Sequence, residues 1–270
     1  MDITQYILDK KKLIDNALDR YLPSSKAKPQ VIHNAMRYAV FPGGKRIRPV
    51  LTLASFEACG GRVSSILPVA CAIELIHTYT LIHDDLPYMD NDDSRRGRPS
   101  CHKKFNEGLA LLAGDALLTL SFELLSESGN VDIVKEISRA IGTGGTVGGQ
   151  VVDILRHERE AKKEKSELDY IASHKTGALF ETAVKAAGIF KGVSRKKRDE
   201  LGNFGRCIGF TFQLIDDLID GDGYVEIYGA RYARKRAEVL TERAKGHLKI
   251  FEKKARRLKE IADLILERQA

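Results

Sequence analysis

With 270 residues, 43% of them apolar, and a formal charge of +7, the chain can fill one large domain or two small ones and is too apolar for disorder. The basic excess lies in runs that read as solvated faces (Lys10 to Lys12, Arg195 to Arg198, and 231–257) with no aromatic stacking platform, which argues against nucleic-acid binding. Cys59, Cys71, Cys101 and Cys207 form no CxxC pair and suit a reduced, cytoplasmic protein. The start MDITQYILDKKK has no signal core, and no uninterrupted apolar run approaches membrane-spanning length, so no stable membrane insertion is expected.

All seven prolines lie at or before Pro99, and the remainder, rich in Ala, Leu, Lys and Glu, reads as helices. Ile3, Ile7, Leu8, Ile14 and Leu18 share one stripe and predict a first helix over 3–21, followed by a polar linker from Pro23 to Pro29. Helices are expected over 30–41, 50–59 and 67–83. Two prolines, a glycine and dense charge make 86–103 a loop. Further helices are expected over 109–127, 133–159 (glycine-rich), 168–190 and 195–220, ahead of a long charged C-terminal segment. No repeat and no domain linker stand out, so one all-α helical bundle spanning 1–270 is the economical reading.

The glycines from Gly142 to Gly149 follow no strand and lack a dinucleotide fingerprint. They read as close helix–helix approach that leaves Gln150 and Asp153 room to face a cavity. The chemistry lies elsewhere. Asp84, Asp85, Asp90, Asp92 and Asp93 crowd the end of an apolar helix, and adjacent carboxylates repel unless a cation sits between them. Asp216, Asp217 and Asp220 form a second cluster, with Asp216 and Asp220 on one helical face, at an end where the macrodipole opposes negative charge. Two such clusters point to hard divalent ions with oxygen ligands, a role Mg2+ fills together with substrate phosphates. Pro42-Gly43-Gly44-Lys45-Arg46-Ile47-Arg48-Pro49 supplies a glycine turn with three cations, suited to a phosphate but not a Walker loop. Arg95-Arg96 and Lys175-Thr176 add further cations, and two phosphate-bearing substrates account for metals and several cation sites together.

These residues together resemble the trans-prenyltransferases, the farnesyl and geranylgeranyl diphosphate synthase family. The pattern comprises the Gly43-to-Pro49 turn, His77, the DDxxxxD run with Arg95-Arg96-Gly97, Gly149-Gln150 with Asp153, Lys175-Thr176-Gly177, and Phe212-Gln213 leading into DDxxD. It extends from about Ala35 to Asp220, and ELIHTYTLIHDDLPYMDNDDSRRGRPSCHKKF is most like bacterial-type farnesyl diphosphate synthases. The resemblance implies an all-α bundle around a deep central cavity, usually a homodimer. It assigns Asp84, Asp85, Asp90, Asp216, Asp217 and Asp220 to three Mg2+ ions on an allylic diphosphate. Gly44, Lys45, Arg48, His77 and Arg96 go to isopentenyl diphosphate, and Arg95, Lys175, Thr176 and Gln213 to the allylic partner. Outside that pattern His77 reads as a core histidine, Lys175 as an ordinary helix cation and Gln213 as a polar core residue.

Tyr79, five residues before Asp84 on one helix, lies about 7–8 Å down its axis and is placed as a floor for the growing chain, with the smaller Thr80 beside it. Bacterial-type farnesyl synthases likewise pair an aromatic there with the insertion seen here as Pro87-Tyr88, which implies a C15 product, with C20 as the alternative. The chain departs from the family in one respect. A loop with two lysines is expected after the second acidic motif, whereas here Asp220-Gly221-Asp222-Gly223 passes directly to Tyr224-Val225. Either the loop is deleted, weakening activity, or it is missing from the sequence. A non-catalytic regulatory subunit is therefore the competing expectation, and a terpene cyclase a third, disfavoured by DDLID where a cyclase needs an Asn/Asp-rich motif ending in Glu.

Overall fold

The computed structural model describes residues 2–158 and 165–268. Helices dominate: α1 (Ile3–Tyr21), α2 (Gln30–Val40), α3 (Ile47–Ala58), α4 (Val63–Asp84), α5 (Cys101–Lys104), α6 (Glu107–Ser126), α7 (Val131–Ile141), α8 (Thr146–Glu158), α9 (Lys165–Ile171), α10 (Ala178–Lys191), α11 (Arg195–Asp220), α12 (Gly223–Tyr228), α13 (Ala230–His247) and α14 (Arg256–Leu266). A π-helical turn (Ala172–Gly177) joins α9 to α10, and a 3-10 segment (Leu248–Ala255) precedes α14. The described strands are β1 (Ser94–Arg95) and β2 (Arg98–Pro99), an antiparallel pair inside the expected loop. The all-α expectation is met.

Contacts are densest within two compact units, one of Met1–Val50 with Ser65–Asn130, the other of Leu51–Ser64 with Val131–Ala270. In the first unit, α1 starts at Asp2, whose side chain accepts from the Thr4 N–H, and buries Ile14, Ala17 and Leu18 completely. α4 is apolar on every side, the signature of a helix enclosed by protein. Glu74 is its buried carboxylate, 2.6 Å from the buried Arg46, which also bonds Asp15 of α1 at 2.9 Å and the Val40 carbonyl at 2.5 Å. That network fixes the chain just after the glycine turn. Helices α4 and α6 are long and apolar enough to cross a membrane. In α4 72% of that stretch is buried inside the protein, in α6 only 39%.

In the second unit α11 is the central element, packed on α10 and α13. It runs from a Ser194 cap to Gly221, whose left-handed backbone (φ 78°) ends the helix. Phe210, Leu214, Ile215, Tyr224, Ala233 and Ala237 form a core beside its C-terminal half. The expected helix over 133–159 is two helices, and its last residue lies outside the described ones. Residues Gly142 to Gly145 turn tightly, with the Gly145 N–H bonded to the Gly142 carbonyl. Gly149 packs α8 against the π-turn so closely that a Cβ there would lie 2.2 Å from the Lys175 nitrogen. The close approach expected of this glycine segment is therefore real, but part of the run breaks the helix rather than continuing it.

Candidate active site

In the first unit, the acidic run begins where α4 ends. The Asp90 N–H donates to the Asp84 carbonyl at 2.8 Å, folding the loop back on the helix end and bringing both ends of DDxxxxD together. Asp85 is buried, which raises its carboxyl pKa, while Arg95 beside it pulls the other way. Arg95 Nε lies 2.9 Å from Asp85 Oδ1, and its Nη2 lies 2.7 Å from Asp92 Oδ2. Arg95 is thus a partner of the first acidic motif. Arg96 and Gly97 form the tip of the β1–β2 turn with φ of 55° and 72°, the left-handed pair that a two-residue hairpin requires. Arg96 Nη1 donates to the Gly43 carbonyl at 2.5 Å and its guanidinium lies against Gly44, so Arg96 reaches the glycine turn while Arg95 stays on the acidic motif.

Arg48 Nη1 lies 3.3 Å from His77 Nε2. His77 keeps some solvent contact, yet desolvation, followed by the fields of Arg48, Arg96, Arg46 and Arg95, pushes its pKa well below the ordinary value. Because the guanidinium can only donate, the neutral imidazole accepts at Nε2 and carries its proton on Nδ1. Gly44, Arg48, His77 and Arg96 therefore gather in one cationic corner. Lys45, next in sequence, is exposed. Tyr79 is buried with its ring edge-on to His83 at 5.6 Å, and the Thr80 hydroxyl bonds the His77 carbonyl at 2.8 Å.

In the second unit a cavity of about 370 Å³ is lined by α8, α9, the π-turn, α11 and α12. Lys175, Gln213 and Asp217 face it together with Asp153, Arg156, Asp222 and Glu226. Lys175 Nζ sits 2.7 Å from Asp153 Oδ2. A relay runs across the wall: the Thr176 hydroxyl donates to Gln213 Oε1 at 2.7 Å, Gln213 Nε2 to Asp217 Oδ1 at 2.8 Å, and the Tyr224 N–H to Asp217 Oδ2 at 2.9 Å. Burial raises the Asp217 pKa and those two hydrogen bonds oppose it. Gly223 is required at the bend, since a Cβ there would lie 2.3 Å from Asp217 Oδ2. Asp216 pairs with Arg268 at 2.5 Å, whose guanidinium covers the Phe212 ring at 5.0 Å, and Asp220 is exposed. Gln150 is buried with neither amide atom hydrogen-bonded, while Asp153 reaches the cavity as expected.

The sequence reading missed Asp92 as the partner of Arg95, and Arg156, Asp222 and Glu226 as cavity residues. Arg156 was accessible by periodicity, three residues after Asp153 on the same face of α8. The connection after Asp220 is a built turn: the Gly221 N–H bonds the Asp217 carbonyl at 2.8 Å, and α12 begins two residues later.

Among the described residues no three His, Cys, Asp or Glu side chains converge as a preformed metal cage. The available donors are carboxylate oxygens, and these fit Mg2+ bound by one or two carboxylates jointly with substrate phosphates.

Residues 29–233 match the family model described as polyprenyl synthetase. A geranylgeranyl diphosphate synthase of Cyanophora paradoxa is 37% identical over 293 aligned positions, covering 99% of this chain and 97% of that protein. The alignment is longer than this chain, so that relative carries segments absent here. A heterodimeric geranylgeranyl pyrophosphate synthase large subunit 1 of Arabidopsis thaliana is 46% identical over 229 residues. The match covers 81% of this chain and about three fifths (61%) of that protein's length. The crystal structure of an apo FPP/GFPP synthase from Zymomonas mobilis superposes with a TM-score of 0.93 at 36% identity, covering 98% of each chain. These relatives are named as prenyl diphosphate synthases, and the solved one shares this fold over nearly the whole chain. The chain belongs to the polyprenyl synthetase family, a family of prenyl-group transferases.

Proposed function

We propose that this chain is a magnesium-dependent prenyltransferase that condenses isopentenyl diphosphate with dimethylallyl or geranyl diphosphate, forming mainly farnesyl diphosphate and releasing pyrophosphate. The observation that carries this reading is the cavity in which a carboxylate of the second acidic motif, Asp217, meets Lys175 and Gln213. A site with both signs of charge and hard oxygen donors suits a metal-complexed diphosphate better than a bare organic anion. Asp84, Asp85, Asp90, Asp216, Asp217 and Asp220 are the residues assigned to magnesium. When bound, the ions supply positive charge for the departing diphosphate.

This chain's own residues bind and orient. Lys175 and Thr176 hold the allylic diphosphate, and Gln213 fixes the rotamer of Asp217. The allylic C–O bond breaks with its electron pair leaving on pyrophosphate, where fixed cations stabilise the developing charge. Gly44, Lys45, Arg48 and Arg96 hold isopentenyl diphosphate, whose double bond supplies the electron pair that attacks the allylic cation. Neutral His77 orients Arg48 without adding a charge of its own. The new C–C bond leaves a tertiary cation, and loss of a proton to pyrophosphate gives the product.

We place the chain in the cytoplasm on its free, largely buried cysteines, whose thiols burial pushes to about 11 at Cys59 and about 12 at Cys71 and Cys101. A second copy is the proposed partner. Leu111 and Leu112 are 46% and 55% exposed on the apolar helix α6, a face that a homodimer would cover. The fold match over nearly the whole chain supports one synthase domain.

A geranylgeranyl product or a non-catalytic subunit is the second reading. The subunit reading is favoured by the short connection after Asp220 and by the engagement of Asp216 with Arg268 and of Asp217 with Gln213 and the Tyr224 amide, and the geranylgeranyl reading by the relatives named as geranylgeranyl diphosphate synthases. Incubation with Mg2+, geranyl diphosphate and labelled isopentenyl diphosphate separates these. C15 product supports the proposal, C20 product supports the geranylgeranyl alternative, and no extension supports the subunit.

A further inference from the structure

The charges lining the cavity of the second unit do not balance. Asp153, Asp217, Asp222 and Glu226 face it, against the cations Lys175 and Arg156. Lys175 is matched by Asp153 at 2.7 Å. Arg156 differs: its Nε is buried and donates to nothing. It lies three residues after Asp153 on the same face of α8, and its field acts on Asp217 and Asp222, lowering both carboxyls against the larger effect of burial. A guanidinium so placed, with a donor unused and carboxylates within its field, is equipped to grip an anion that itself carries cations. The planar fork of donors matches two oxygens of a phosphate group.

We propose that Arg156 is a diphosphate-binding residue of the prenyl-transfer site, holding the allylic diphosphate and retaining it as pyrophosphate after the C–O bond breaks. This rests on the prenyltransferase reading above. Arg156 gains and loses no proton. The electron pair of the broken bond stays on the pyrophosphate oxygen, and the guanidinium stabilises it by charge and hydrogen bonding. Arg156 of α8 lines the same cavity as Asp222 and Gly223 of the turn after α11, so it reaches the space that the second acidic motif borders.

The test uses the full chain with Arg156→Gln and Arg156→Met, the second keeping most of the aliphatic stem, and Arg156→Lys as the conservative variant. Titration calorimetry with inorganic pyrophosphate in Mg2+ is expected to show binding weakened at least ~10-fold in the first two and partly restored in the lysine variant. Steady-state kinetics are expected to show KM for geranyl diphosphate raised to a similar extent and kcat lowered, with KM for isopentenyl diphosphate within ~2-fold of wild type. Unchanged pyrophosphate affinity in a folded, elongating variant overturns the role of Arg156 alone. Equal losses for both substrates, or failure of both neutral variants to fold, make the residue structural and overturn it as well. A wild-type chain that neither elongates nor binds pyrophosphate overturns the prenyltransferase reading and this inference with it.

Discussion

His77 Nε2 accepts a hydrogen bond from the Arg48 guanidinium at 3.3 Å, and the bond exists only while the imidazole is neutral. Burial and four arginines hold the His77 pKa well below its unfolded value. A histidine depressed in this way contributes stability that is complete above about pH 6.5 and is lost as the pH falls below it, because the unfolded chain then binds the extra proton. Urea unfolding at pH 7.5 and 5.5 is expected to show a smaller drop for His77→Gln than for wild type. The glutamine oxygen can accept from Arg48 without titrating. An identical drop in both proteins would remove His77 from the acid limb.

Asp84→Ala and Asp216→Ala are each expected to reduce turnover by at least ~100-fold while helix content stays near wild type. The Asp216–Arg268 pair is partly exposed, so its loss is worth no more than about 1 kcal/mol of stability. Circular dichroism and product assays on the same samples check both halves, and wild-type turnover in Mg2+ from either variant defeats the assignment.

Lys45→Ala is expected to raise KM for isopentenyl diphosphate, and Arg95→Ala to raise KM for the allylic substrate, each by ~10-fold or more. Arg95 also neutralises the buried Asp85, so its removal acts on the acidic motif as well as on substrate. Indistinguishable effects of the two variants on both substrates refute the division.

Tyr79→Ala is expected to shift products to C20 and longer at similar total turnover. The ring is buried, so a stability loss of about 3–5 kcal/mol accompanies the change. Chromatography of dephosphorylated products decides the matter: a soluble variant that still stops at C15 places Tyr79 in the packing rather than at the end of the chain's path.

Glu74→Ala is expected to cost about 3–5 kcal/mol in chemical denaturation, because it strands the guanidinium of Arg46, which is 3% exposed. Glu74→Gln, which keeps an acceptor, should cost less. A loss below 1 kcal/mol for the alanine variant means that Asp15 and the Val40 carbonyl suffice for Arg46.

Local signals were readable where one element decides its own fate. Helix α11 begins at the Ser194 cap and ends at Gly221, and both ends stand where the sequence implies them. The break between α7 and α8 was not readable, because the same glycines serve a tight turn at Gly142 to Gly145 and a helix contact at Gly149. Nor was the π-turn, which a helical period in the sequence does not distinguish from the α-helices on either side. Both acidic clusters stand out in the sequence by charge crowding, and their assignment to a metal rests on the family resemblance. The capture of Asp217 by the Tyr224 amide was not, since it needs the chain to fold back at once after the helix. Arg156 escaped notice because a basic residue near a helix C-terminus ordinarily complements the dipole.

The bond from the Tyr224 N–H to Asp217 Oδ2 turns a backbone amide into a reporter. The oxygen keeps a lone pair for a second partner, so a ligand can share it with the amide, whereas unwinding of α12 must release the carboxylate. Slow exchange at this one amide therefore reports that α12 is folded against the site, and fast exchange reports local unfolding. Glycine at position 223 keeps donor and acceptor in register.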